Sequence, residues 1–174
     1  MFNQLDLAHT LEIACGTGRH SAQVADRIKE LYLLDSSAGA LQEARERFKE
    51  KEDVIYIINS SGIGIPHDII PRDHLTAVFS YDAMVHFEKE AVESYVRDSF
   101  PLLQPGGYAL FHHSNFSSNP GGKFTDNPGW RNYMTQDLFK GYATTAGYEI
   151  VGSTVFEFSA PDSDCVTLLR KPVA

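Results

Sequence analysis

The sequence predicts an α/β fold: a doubly wound, mostly parallel seven-stranded sheet with helices on both faces and an antiparallel C-terminal strand pair. Three observations carry this expectation. Short apolar runs alternate with longer stretches whose apolar residues recur at helical spacing. The first run ends in a glycine turn, Gly16-Thr17-Gly18, that opens a helix. The last two runs are joined only by Ala160-Pro161-Asp162-Ser163-Asp164, a turn-forming connection suited to antiparallel neighbours.

Taken in order, His9 to Cys15 reads as a first buried strand ended by Gly16, and Ser21 to Ile28 as the helix after it, with Ala22, Val24, Ala25 and Ile28 on its apolar face. Glu30 to Asp35 is a second strand. Ser36 and Ser37 can cap the next helix, whose buried face carries Leu41, Ala44 and Phe48. Val54 to Ile58, rich in β-branched residues, is a third strand, and Leu75 to Tyr81 a fourth. A helix from Lys89 to Phe100 is stopped by Pro101 and Pro105-Gly106-Gly107; Tyr108 to Phe111 is a fifth strand. Ser114 to Asn132 is a long irregular stretch, a length that points to a binding loop or lid. Thr135 caps a helix to Ala146, Gly147 ends it, and Tyr148 to Phe158 and Cys165 to Leu169 close the sheet.

The 174 residues suit one domain, expected to span 1–174, and the 43% hydrophobic fraction suffices for a substantial core. No apolar run approaches the roughly 20 residues of a membrane span, and the first residues lack the pattern of a signal peptide. No membrane insertion is expected, and a cytoplasmic protein is the default. Fifteen Lys and Arg against 23 Asp and Glu give a formal charge of −8, which argues against a nucleic-acid partner. Cys15 and Cys165 lie in separate apolar segments and read as buried free thiols. Oligomeric state leaves no mark in the sequence.

The strongest chemical signal is Leu11-Glu12-Ile13-Ala14-Cys15-Gly16-Thr17-Gly18-Arg19. A strand that ends in G-x-G and opens a helix lets backbone approach a ligand closely, because glycine has no Cβ. Glu12 sharpens the signal, since a carboxylate inside an apolar strand needs a partner. A cationic or amino-bearing ligand would supply one; capping of nearby backbone amides is the other reading. Asp35, at the end of the second strand, is placed one βαβ unit on, where a carboxylate can accept hydrogen bonds from both ribose hydroxyls.

Together these segments resemble the class I S-adenosylmethionine-dependent methyltransferases, a Rossmann-like family. LEIACGTG is similar to their first motif, with Ala14 where many members have glycine; LYLLDSS resembles their acid after strand two, and LLQPGGYALFHHSN their approach to strand five. The resemblance runs from about His9 to Lys171. It implies S-adenosylmethionine as cofactor, S-adenosylhomocysteine as product and a small-molecule acceptor. By the same resemblance Ala14, Gly16, Thr17 and Gly18 would contact the methionine moiety and Glu12 its ammonium. Asp35 would bind the ribose, Ser36 and the turn Ser60-Ser61-Gly62 the adenine, and Ser80 would line the methionine end. Family members carry one or two covering helices before strand one; fewer than about ten residues precede it here, so the chain is expected to be a fragment or to have an open cleft.

Methyl transfer from a sulfonium is a direct displacement in which the protein chiefly aligns the partners. A hydroxyl or ammonium acceptor must also lose a proton, and histidine suits that work. His86, His112 and His113 are the candidates, all expected just past strand ends, where open α/β sheets bind ligands; capping of the following helix is the competing role for His86. His112 and His113 cannot both face the pocket while extended. Tyr81 and Asp82 are candidate acceptor contacts. Trp130, Arg131 and Tyr133, on a Gly- and Pro-rich loop, read as a lid over the acceptor or as a surface loop whose Trp130 docks on the core. Asp82 and Asn115 alone do not complete a set of metal ligands, so no metal is expected. The stretch from HHSN to NPGWRNYM resembles methyltransferases of polysaccharide and glycolipid pathways, which implies a sugar-like or lipid-linked hydroxyl.

Two other functions fit parts of the pattern. An NAD(P)-dependent oxidoreductase would use the same glycine turn and ribose acid, but Ser21 replaces the third glycine of G-x-G-x-x-G and Glu12 stands where such folds prefer an apolar residue. A methyltransferase-like module without turnover would explain the missing cover, though it need not keep Glu12, Gly16, Gly18 and Asp35.

Overall fold

A computed structural model describes residues 1–66 and 68–173. Seven strands form one sheet in the order β3-β2-β1-β4-β5-β7-β6. They span His9–Ile13 (β1), Glu30–Asp35 (β2), Val54–Ile58 (β3), Leu75–Ser80 (β4), Leu103–Ser114 (β5), Glu149–Phe156 (β6) and Asp164–Arg170 (β7). β7 alone runs antiparallel, hydrogen-bonded to β5 on one side and β6 on the other. Four helices complete the fold: α1 (Arg19–Ala22), α2 (Ala38–Arg47), α3 (Lys89–Ser99) and α4 (Gln136–Ala146).

Because successive strand residues point to opposite faces, each central strand feeds two cores. Leu11, Ile13, Tyr32, Leu34 and Val78 pack with Val92, Tyr95 and Val96 of α3 and Phe139 and Ala143 of α4. Leu31, Leu33, Ala77 and Phe79 pack with Leu41 and Ala44 of α2 and with Phe48 beyond it. The expected architecture is therefore the observed one. Helix ends follow the expected chemistry too. The Ser37 hydroxyl accepts the Ala40 N–H at 3.2 Å and the Thr135 hydroxyl accepts the Leu138 N–H at 3.0 Å. Gly147, at φ 104°, terminates α4.

Two elements differ from expectation. The first helix is a single turn, Arg19–Ala22, followed by a 3-10 turn at Ala25–Arg27 rather than a helix through Ile28. β5 is much longer than Tyr108–Phe111. It begins at Leu103, absorbs Pro105-Gly106-Gly107 where the register with β4 slips between Leu75 and Ala77, and continues through Ser114. Its far end pairs with β7, His112 with Val166 and His113 with Cys165. Over β4, β5 and β7, the face opposite α3 and α4 is covered by the N-terminal 3-10 turn Phe2–Gln4, with the Phe2 ring edge-on to Phe79 at 5.6 Å. Among the described residues no helix is long and apolar enough to cross a membrane.

Candidate active site

β1 delivers the chain to a turn in which Ala14, Gly16 and Gly18 all adopt left-handed backbone, at φ 54°, 54° and 73°. The turn is tied to the tip of β2. The Cys15 N–H donates to the Leu34 carbonyl at 3.0 Å, and the Gly16 N–H donates to Asp35 Oδ2 at 2.7 Å. Asp35 Oδ1 accepts the Ser37 N–H at 2.8 Å. Asp35 thus belongs to the turn and also presents its carboxylate at the rim of the cleft. A Cβ on Gly16 would meet nothing within 4 Å, so its Cα faces open space. Gly18 differs, since a Cβ there would lie 2.6 Å from the Phe48 ring. Its lack of a side chain serves the packing of the turn against Phe48.

Glu12 sits beneath this turn, 1% exposed, and finds its partners within the protein. Oε2 accepts from the N–H and hydroxyl of Ser21, and Oε1 lies 3.4 Å from His20 Nδ1. Of the two roles expected for it, the capping arrangement is present, with one backbone amide, that of Ser21, on its carboxylate. Burial, reinforced by the charges of Glu12 and Asp35, pushes the Cys15 thiol far up, so it stays protonated.

Three cavities follow the C-terminal edge of the sheet, where open α/β folds bind ligands. One of about 510 Å³ lies over β2 and β3, lined by Leu34, Ile63, Phe87 and Tyr95 with Asp35, Ser36, Ser61 and Gly62. A second, of about 400 Å³, surrounds the glycine turn and takes in Ala14, Gly16, Thr17, His20, Tyr81 and Asp82. A third, of about 540 Å³, is mostly apolar, with Phe2, Val24, Phe79, Leu110 and Val166 in its wall. Ala14 borders the first two, and His20 and Tyr81 border the last two. Ser60 is exposed and borders none of these three cavities. Ser80 is fully buried at the tip of β4, and its hydroxyl has no hydrogen-bond partner among the described residues.

The expected acceptor residues are arranged differently from the prediction. Because β5 continues through Ser114, His112 and His113 are strand residues on opposite faces, both buried. His112 Nδ1 accepts the Asp82 N–H at 3.1 Å, and Nε2–H donates to Asp164 Oδ2 at 2.8 Å. Burial lowers its pKa, against the pull of Asp164. His113 stacks on Phe139, with ring centroids 3.8 Å apart. Its Nδ1–H donates to the Ser114 carbonyl, its Nε2 accepts from Thr167, and burial drives its pKa to about 3. Neither imidazole has a nitrogen free for an acceptor proton. Both are corrected from catalytic candidates to structural groups.

Arg131 is likewise no free lid cation. It is 3% exposed and forms a bidentate pair with Asp164, 3.0 Å from Nε and 2.7 Å from a terminal nitrogen. Burial raises the Asp164 pKa, but bonds from Arg131, Ser163 and His112 outweigh it and keep the carboxyl below its usual range. Asn132 N–H donates to the Val85 carbonyl, so this end of the loop is anchored. Trp130 is 61% exposed and so is not docked into the core. Tyr133 borders a separate cavity with Glu88, Lys89 and Pro120. Asn115 spends its amide on Asp162 and Gln136.

His86 borders none of the three cavities. Its Nδ1–H donates to the Trp130 carbonyl at 2.8 Å, which leaves Nε2 without a protein partner among the described residues. The residue that sequence reasoning missed is His20. It stands on α1, borders both the glycine-turn and apolar cavities, and packs edge-on to Tyr81 at 5.4 Å. The available signal was Glu12, whose need for a partner one helical turn beyond Gly16 points at Ser21 and His20.

Residues 10–107 match the family described as "Methyltransferase domain", and the chain belongs to that family. No curated protein is matched by the sequence. Among solved structures, an S-adenosylmethionine-dependent methyltransferase from Mesorhizobium loti is 16% identical and superposes with a TM-score of 0.75, covering 95% of this chain and 93% of that one. The N-methyltransferase NodS from Bradyrhizobium japonicum WM9, in complex with S-adenosyl-L-homocysteine, is 16% identical with a TM-score of 0.71, over 95% and 78%. The [4+2]-cyclase SpnF is 13% identical with a TM-score of 0.75, over 96% and 75%. At these identities the likeness is one of fold. Family membership makes S-adenosylmethionine the cofactor to test against the cleft. The fit is good: an open glycine Cα, a carboxylate at the rim, a largely apolar chamber beside it and an unpartnered buried hydroxyl at the tip of β4.

Proposed function

We propose that the protein transfers a methyl group from S-adenosylmethionine to a hydroxyl of a small molecule whose body lies in the apolar cavity. The observation that carries this reading is the adjacency of the three cavities, which share Ala14 between the first two and His20 and Tyr81 between the last two. In it, Asp35 holds the ribose hydroxyls while Ser36, Ser61 and Gly62 border the adenine. The open Cα of Gly16 and the amide of Thr17 receive the methionine end, with Ser80 beside it. When bound, the cofactor supplies an electrophilic methyl group.

The remaining work belongs to this chain. Phe2, Phe79, Leu110 and Val166 exclude water and seat an apolar body, which favours a lipid-like or aromatic alcohol over a free sugar. His20 is placed to take the hydroxyl proton. Glu12 engages its Nδ1 side, and Nε2 has no protein partner among the described residues. His86, with Nε2 free, is the second candidate base.

The test is a labelled-methyl assay over aliphatic, aromatic and sugar alcohols, with His20→Gln and His86→Gln in parallel. His20→Gln is expected to lower kcat about 10²–10⁴-fold, with the loss shrinking at high pH for phenolic acceptors, which ionise at about pH 10. Binding of S-adenosylhomocysteine without transfer to any alcohol would overturn the reading in favour of a module without methyl transfer, and the cyclase of the same fold shows that the scaffold alone does not set the reaction.

A further inference from the structure

A second concentration of chemistry-bearing side chains lies at the opposite end of the sheet from the cleft. His9 opens β1, Glu30 opens β2, and His74 immediately precedes β4. β1 runs between β2 and β4, with His9 in register with Glu30. The start of three adjacent strands therefore brings together residues that are remote in sequence. Glu30 Oε2 is their meeting point: His9 Nδ1 lies 3.1 Å away, and His74 Nε2 contacts the same oxygen. The two rings stand edge to face with centroids 4.9 Å apart. The three donor atoms all lie within 4.8 Å of one another.

We propose that His9, Glu30 and His74 bind a divalent transition-metal ion, zinc being the best match, which pins the starts of β1, β2 and β4. Two imidazole nitrogens and one carboxylate oxygen suit zinc rather than calcium or magnesium, which take oxygen ligands. Zinc bonds of about 2.0–2.2 Å set such donors roughly 3.3 Å apart, close to the His9–Glu30 spacing, so small side-chain rotations complete the set. The side chains are 37%, 27% and 30% exposed in the order His9, Glu30, His74, which leaves water access to the remaining coordination position. The site depends on nothing in the cofactor cleft, and it stands or falls separately from the proposed reaction.

A metal that binds only the folded arrangement stabilises it by mass action. The experiment uses the full chain stripped with chelator, titrated with ZnCl₂ by calorimetry and with CoCl₂ by visible absorption. Thermal unfolding is then followed with and without zinc. One equivalent of each metal is expected, with the d–d bands of low-coordinate cobalt. Tm should rise by roughly 5–10 °C when free zinc is about a hundredfold above Kd. Glu30→Gln and His74→Gln, checked for folding by circular dichroism without metal, are each expected to weaken zinc binding more than about tenfold and to cut the Tm rise at the same zinc concentration to about half or less. His9→Asn, which removes the third ligand by itself, should do the same if either of the others proves unfolded. Absence of stoichiometric binding would overturn the proposal. So would equal zinc affinity in wild type and folded variants, which would place the metal on other histidines.

Discussion

The two halves of the sheet use polar residues in opposite ways. In β1, β2 and β3 the polar groups near the cleft are few: backbone amides, open glycine Cα atoms and the Asp35 carboxylate, which keeps the glycine turn in place while facing solvent. In β5, β7 and the loop after Ser114, polar groups are many and spend themselves on each other. Asp164 alone accepts from Arg131, Ser163 and His112. The first half is arranged to receive a ligand. The second is an internally satisfied network that fixes the wall beside it, for His112 in turn holds the backbone of Asp82 at the edge of the glycine-turn cavity. The lesson is that a charged residue near a strand end is available for chemistry only when packing leaves part of it facing the cleft, as it does for Asp35 and does not for His112, His113 or Arg131.

This contrast can be broken most forcefully in the second half. Asp164→Ala would leave Arg131 buried without its partner, and is expected to destabilise the fold by about 3–5 kcal/mol in denaturant unfolding. Gly16→Val inverts the pattern. Left-handed backbone at φ 54° penalises a β-branched residue by about 1–2 kcal/mol, yet calorimetry should show S-adenosylhomocysteine binding lost, because the new side chain projects into the open space of the cleft.

The buried histidines give the second half a pH signature. The folded pKa of His113, about 3, lies below the unfolded value, about 6.5. Between those limits the unfolded chain binds more protons, so stability rises with pH and is lost as pH falls. The slope attributable to His113 is about 1.4 kcal/mol per pH unit, and His113→Phe, able to keep the stacking on Phe139, should flatten it in unfolding curves taken between pH 6 and 4. The smallest effect belongs to Trp130→Ala. A side chain this exposed should change stability by less than about 0.5 kcal/mol.

The same contrast explains what the sequence disclosed. The mostly parallel seven-stranded sheet, the cap residues Ser37 and Thr135 and the closing antiparallel pair were legible because each follows from local chemistry or from connection length. The glycine turn and Asp35 were legible for a similar reason, since left-handed backbone and a carboxylate one βαβ unit on leave a local mark. His112, His113 and Arg131 were misread because their roles depend on Asp164 and Thr167, residues from the far end of the chain. Strand β5 was underestimated because Pro105-Gly106-Gly107 reads as a stop, whereas the slipped register with β4 absorbs it. Gly18 reads as a close-approach glycine, and the Phe48 ring against it gives it a packing role that no local pattern announces.

At the centre of the account is the claim that Asp35 and the Gly16 turn together form the nucleoside-binding end of the cleft. The direct measurement is calorimetric titration of S-adenosylhomocysteine into the wild-type chain and into Asp35→Ala, with folding of both checked beforehand. The account predicts one site in the wild type and a loss of about 1–3 kcal/mol in the variant, from hydrogen bonds to a charged group. Equal affinity in the two proteins would contradict it.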